Sequence, residues 1–205
     1  MDTRTAILEA AARVFSRHGF RGSTTRRIAE AAAVNEVTIF RCFGSKAALL
    51  QEAVKGLDVS EAGKSLPRHP VDPFRELSDW ASVLVSHLHL RSSLIRKCMS
   101  ELEERPELAA QATDAPTRAT TDLCNYFRRL KALGFTKDDF DATAAAAMLI
   151  GALFHDAMGR EMMPGIFPKP ASKAPARYAN LVLRSIGVRE GARPRTGRTL
   201  NVRTS

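Results

Sequence analysis

Residues Val34 to Leu50 read VNEVTIFRCFGSKAALL. The run holds barely two turns of helix before Gly44-Ser45 interrupts it, and an isolated helix that short does not persist in water. Yet it carries Ile39, Phe40 and Phe43 together with Arg41. Ile39 and Phe43 lie four apart and share one face, which neighbouring helices must hold; Thr38, Arg41 and Cys42 fall on other arcs. Asn35 offers an N-cap, Val34 can staple onto Ile39, and Ser45 can cap a fourth helix over about residues 46–57. A rod clamped on one side keeps its other side for a partner.

The preceding residues supply the clamp. Ile7, Leu8, Ala11, Val14 and Phe15 recur at three- and four-residue steps, which predicts a helix from about Thr3 to His18, stopped by Gly19. A second helix opens at Thr24, a capping residue, with Thr25, Arg26 and Arg27 in its first turn, and ends by Ala32-Ala33. Two short helices joined by a three-residue turn make a helix-turn-helix, whose second member can enter the DNA major groove.

Beyond residue 57 the composition shifts. GLDVSEAGKSLPRHPVDP, residues 56–73, is rich in Gly, Ser and Pro and marks a boundary between a small N-terminal domain (residues 1–50 plus the linking fourth helix) and a larger one over 58–188. Asp72-Pro73 starts a helix to about Leu90. Others are expected over about 93–104, near 107–111, from Pro116 to the stop at Gly134, over 138–160 and over 172–186. That is an all-α chain of about nine helices, with no alternating pattern that would predict a strand.

The chain has 205 residues, 44% hydrophobic and 26% charged, enough for a real core. Its 31 Lys+Arg against 22 Asp+Glu give a net charge of +9, which favours a polyanionic partner. Part of the excess sits in residues 189–205, a basic tail with little to bury, expected to be disordered. Cys42, Cys98 and Cys124 have unrelated spacings and predict neither disulfides nor a zinc site. His87 and His89 fall on different faces of a helix, so metal binding is set aside. No signal peptide is expected, because Glu9 and Arg13 interrupt the first apolar stretch. The run Ala142–Phe154 is expected to be too short to cross a bilayer. The expectation is a soluble, cytoplasmic protein without a cofactor.

Residues 4–50 resemble the DNA-binding domain of the TetR family of bacterial transcription regulators. The resemblance rests on Ile7-Leu8, the alanines 10–12, Phe15, Gly19, Thr24-Thr25, Ile28-Ala29, Val34, Thr38, Phe40, Phe43, Ser45-Lys46 and Leu49. It implies that Thr25 and Arg26 contact phosphates or a base edge, that Glu36, Val37, Thr38 and Arg41 face the groove, and that Lys46 grips the backbone; of the pair Arg26 and Arg27, at least one is expected on a phosphate. Phe40 stands where the family usually has a phosphate-touching tyrosine. Ala33 and Val37 stand where glycines are common; Ala33 then strains the turn, and Val37 favours apolar contact such as a thymine methyl.

The resemblance also implies a C-terminal bundle that binds a small effector and pairs two chains through its last two helices, a homodimer on a double-stranded palindromic operator. Small residues Ala144, Ala147, Gly151 and Ala152, with Met148, His155, Tyr178, Leu181 and Val182, are the expected pairing surface. Trp80, Leu84, His87, Leu88, Phe127, Met148 and Phe154 are the groups most able to line a cavity. The function implied is a ligand-responsive repressor. The competing readings are an enzyme, for which no phosphate loop, nucleophile elbow or metal pair appears, and a helical interaction protein of the same fold that has lost specific DNA binding.

Overall fold

A computed structural model describes residues 2–55, 66–104, 114–136 and 139–191. Among them are nine α-helices and no strand: α1 Thr3–Gly22, α2 Thr25–Ala32, α3 Glu36–Phe43, α4 Lys46–Lys55, α5 Pro73–Leu90, α6 Ser92–Glu101, α7 Asp114–Ala132, α8 Ala142–Gly159 and α9 Ala174–Ser185. The expected helix near 107–111, most of the linker and nearly all of the basic tail lie outside the described residues.

The helix ends follow local chemistry. Gly19 takes φ 65° and breaks α1, and Ser23 folds its hydroxyl back onto the Gly19 carbonyl at 2.6 Å. Thr24 caps α2 by accepting from the Arg27 amide at 3.2 Å, and Asn35 caps α3 by accepting from Val37 at 2.9 Å. Asp72 caps α5 ahead of Pro73, while Glu76 accepts from the amides of Val71 and Asp72. Penultimate α8 begins four residues later than expected, because the Asp141 carboxylate accepts from both Thr143 and Ala144 and fixes the start there.

Contacts divide the described chain into two units, one drawn from Met1–Glu61 and Leu88–Arg118, the other from Ala62–His87 and Ala119–Ser205. The grouping differs from the composition break, which put residues 58–188 in one domain. In the first unit, α1 to α4 share a core of Ile7, Phe15, Ile28, Ile39, Leu49 and Leu50, and α6 adds Leu94 and Cys98 to it. These two α6 residues are four apart, so a single short stripe suffices to fasten the helix there.

The second unit is built on Leu77, Leu123, Tyr126, Phe127, Leu130, Leu149, Leu153 and Leu183, all fully buried. The apolar run in α8 continues to Gly159, so by length and composition this helix could cross a bilayer, contrary to expectation. One side of it packs into the core, where Asp156, 1% exposed, is held by Arg160 just past the helix end and by Tyr178 of α9.

Candidate nucleic-acid interface

The turn between α2 and α3 closes through Ala33, which adopts the left-handed conformation at φ 54°, ψ 42°. Its amide donates to the Glu30 carbonyl at 3.3 Å and that of Val34 to the Ala29 carbonyl at 3.0 Å. Ile39 and Phe43 point into the shared core, with Val34 half-buried against it. That orientation turns Val37, Phe40, Arg41 and Gly44 outward as one continuous stripe. Val37 is 71% exposed and Phe40 49%. Arg41 is exposed on the same side of the helix.

The other candidates are held more closely. The Thr25 hydroxyl donates to the Glu36 carboxylate at 2.5 Å, so these two residues tie the start of α2 to the start of α3. Thr38 is half-buried on the flank of α3. Arg26 and Arg27 are exposed in the opening turn of α2; Arg26 pairs with Glu30 at 3.1 Å and Arg27 donates to the Gly22 carbonyl at 2.5 Å. Both contacts lie at the surface, where the Arg26–Glu30 ion pair is worth little and a phosphate can replace either partner. Lys46 is half-buried: its ammonium donates to the Phe20 carbonyl at 3.0 Å and sits 4.2 Å from the centre of the Phe20 ring.

Two supporting groups were not foreseen. Glu101, at the end of α6, accepts from the Phe20 amide with both oxygens at 3.0 Å, and Lys97 lies 3.4 Å from it. A Cβ at Gly19 would displace the ends of the Glu101 and Lys97 side chains, and its φ of 65° favours glycine in its own right. Arg4 of α1 forms a forked pair with Glu52 of α4 and lies 4.7 Å over the Phe43 ring. The pair raises the Arg4 pKa and lowers that of Glu52, each chiefly through their hydrogen bond. Neither residue pattern has a local signature, since the partners stand 81 and 48 residues apart.

In the second unit the expected cavity residues do not form one set. Leu84 and Phe127 are buried, and Trp80, His87 and Phe154 are half-buried. Leu88 groups with the first unit. Met148 is 66% exposed on the outer side of α8, where Ala144, Ala147, Gly151 and His155 are exposed too. Its place is therefore on the outward stripe and not in an interior. On α9 Leu181 is 68% exposed, whereas Val182 is buried in its own chain and Tyr178 turns its hydroxyl inward to Asp156 at 3.0 Å. Ala152 is half-buried. Two polar atoms, His87 Nδ1 and Arg129 Nε, are buried with no hydrogen-bond partner among the described residues.

Comparison with known proteins agrees with this layout. Residues 7–53 match the family model described as bacterial regulatory proteins, tetR family, and residues 85–185 match that of the AefR-like transcriptional repressor C-terminal domain. The chain is 28% identical over 156 residues to YvkB of Bacillus subtilis, an uncharacterized HTH-type transcriptional regulator, covering 75% of this chain and 82% of that one. It is 25% identical over 151 residues to the HTH-type transcriptional regulator UidR of Escherichia coli, covering 72% and 76%. A solved chain from Mesorhizobium loti, proposed to be a TetR-family regulator, superposes with a TM-score of 0.74 at 21% identity, over 91% of this chain and 97% of that one.

Proposed function

The chain belongs to the TetR family of bacterial transcriptional regulators, and from that premise we propose that it is a cytoplasmic, ligand-responsive repressor that binds a palindromic operator as a homodimer. One observation carries the DNA-reading part: α3 is clamped through Ile39 and Phe43 while Val37, Phe40 and Arg41 stand outward in one stripe. Arg41 reads a base edge in the major groove. Arg26, Arg27 and the free amides at the start of α2 hold phosphates, and phosphate contacts fix register while base contacts give sequence. Thr25 and Glu36 position the two helices against each other. Lys46 braces the turn at Phe20 and reaches a phosphate only by leaving it.

Pairing of two chains through the outer stripe of α8 and Leu181 of α9 puts two copies of α3 on successive half-sites, roughly 34 Å apart. The effector site belongs to the second unit, where His87 Nδ1 and Arg129 Nε are polar atoms a ligand can satisfy. An effector that prefers the arrangement with the wrong half-site spacing weakens operator binding by at most its differential affinity for the two states. No catalytic role is assigned.

The test is a footprint over the promoter beside the chain's own gene, followed by gel shift with Arg41→Ala. Specific binding is expected to be lost while dimer and fold are retained. Unchanged affinity in this variant would remove the groove assignment.

A further inference from the structure

On a helical wheel of about 100° per residue, Val37 and Arg41 stand about 40° apart, near the outward pole of α3, with Phe40 about 60° to the other side of Val37. A valine on an exposed surface alone would call for no explanation. Here two large apolar side chains, Val37 at 71% and Phe40 at 49% exposure, sit next to each other on the stripe that also bears Arg41. Val37 has no atom that can bond a phosphate or a base edge. Apolar surface there gains only by being covered with apolar surface, and the major groove offers one such group, the thymine 5-methyl. The neighbouring Glu36 is half-buried and turned toward α2, where one carboxylate oxygen receives the Thr25 hydroxyl at 2.5 Å, so Val37 and not Glu36 stands outermost on that turn. Past Phe40 the stripe ends at Gly44, just beyond α3, where an added Cβ would meet nothing within 4 Å, so that end of the stripe is open.

Resting on the DNA-reading role above, we propose that Val37 is a specificity-determining residue that reads the 5-methyl group of one thymine in each half-site, about two base steps from a guanine held by Arg41. The separation follows from four residues of helix, about 6 Å along the axis, against about 3.4 Å per base step. Arginine takes guanine because its fork matches the N7 and O6 acceptors.

The experiment selects binding sites for the full-length protein from a randomised duplex library. Each thymine of the recovered half-site is then replaced by deoxyuridine, which removes the methyl and nothing else. Wild-type protein is expected to lose about fourfold in affinity per half-site at one thymine position, the effect of uncovering one methyl-sized group. Val37→Ala, a change at a surface position that leaves the fold intact, is expected to bind the thymine and uracil duplexes equally. No methyl-sensitive position, or one whose sensitivity survives in Val37→Ala, overturns the inference even where Arg41→Ala still abolishes binding. Failure to recover any preferred sequence overturns the DNA-reading role along with it.

Discussion

Ala33 holds a backbone conformation that its Cβ disfavours, with φ at 54°. Glycine there would relieve about 1–2 kcal/mol of left-handed strain and give back about half of that as extra freedom of the unfolded chain. Ala33→Gly is therefore expected to stabilise the protein by about 0.5–1 kcal/mol, seen as a higher denaturant midpoint at unchanged slope. Phe40 makes the opposite kind of argument. It is half exposed beside the groove-facing stripe but lacks a hydroxyl. Phe40→Tyr adds a donor for a phosphate, worth about 0.5–1.5 kcal/mol, or two- to tenfold in affinity. Because a phosphate is the same at every base pair, operator and random duplexes should gain equally. A gain confined to the operator would mean the ring touches a base.

At the scale of elements, a carboxylate of α6 bonds the end of α1 and adds to the packing of Leu94 and Cys98. Glu101 is 16% exposed in its side chain and its two oxygens share the Phe20 amide. Glu101→Gln keeps an acceptor but loses the charge, and a charge-assisted bond is about twice as strong as a neutral one. The expected cost is about 1 kcal/mol, with faster hydrogen exchange at the Phe20 amide. One turn earlier, burial and then the charge of Glu101 push the Cys98 thiol from its ordinary 9.0 up to about 11. The unfolded chain loses this proton first as pH rises, so stability is full below pH 9 and declines from there toward pH 11. A pH series of denaturation midpoints should show the decline, and Cys98→Ala should flatten it. These α6 contacts mark the limit of what the sequence discloses. Caps and stops at Thr24, Asn35, Asp72 and Gly19 act on residues within a turn of themselves, so they could be read directly. The inward pair Ile39 and Phe43 of α3, four residues apart, was legible for the same reason. The contact of Glu101 with Phe20 joins residues 81 apart and depends on packing that no local pattern encodes. The inward place of Val182 and the outward place of Met148 were not legible for a related reason: both are apolar, and only the neighbours that cover them decide which one lies inside.

At the scale of the whole molecule, pairing turns two weak half-site contacts into one strong one, because the second contact becomes intramolecular. The proposed pairing surface has an unusual make-up for a monomer's exterior. Ala144, Ala147, Met148, Gly151 and His155 lie exposed along one side of α8, and Leu181 stands 68% exposed on α9. Small residues let two helices approach closely while Met148 and Leu181 supply apolar area to bury. Leu181→Glu places a charge in the centre of that contact and is expected to give a folded monomer by light scattering. Operator affinity should fall by at least about 100-fold, the lower end of what linking two sites supplies. Val182→Glu, one residue along but 7% exposed, serves as the contrast. Its charge would enter the chain's own core, so the expected result is loss of cooperative unfolding and not a clean monomer. A Leu181→Glu protein that remains dimeric would move the pairing to another surface and leave the outer side of α8 without that role.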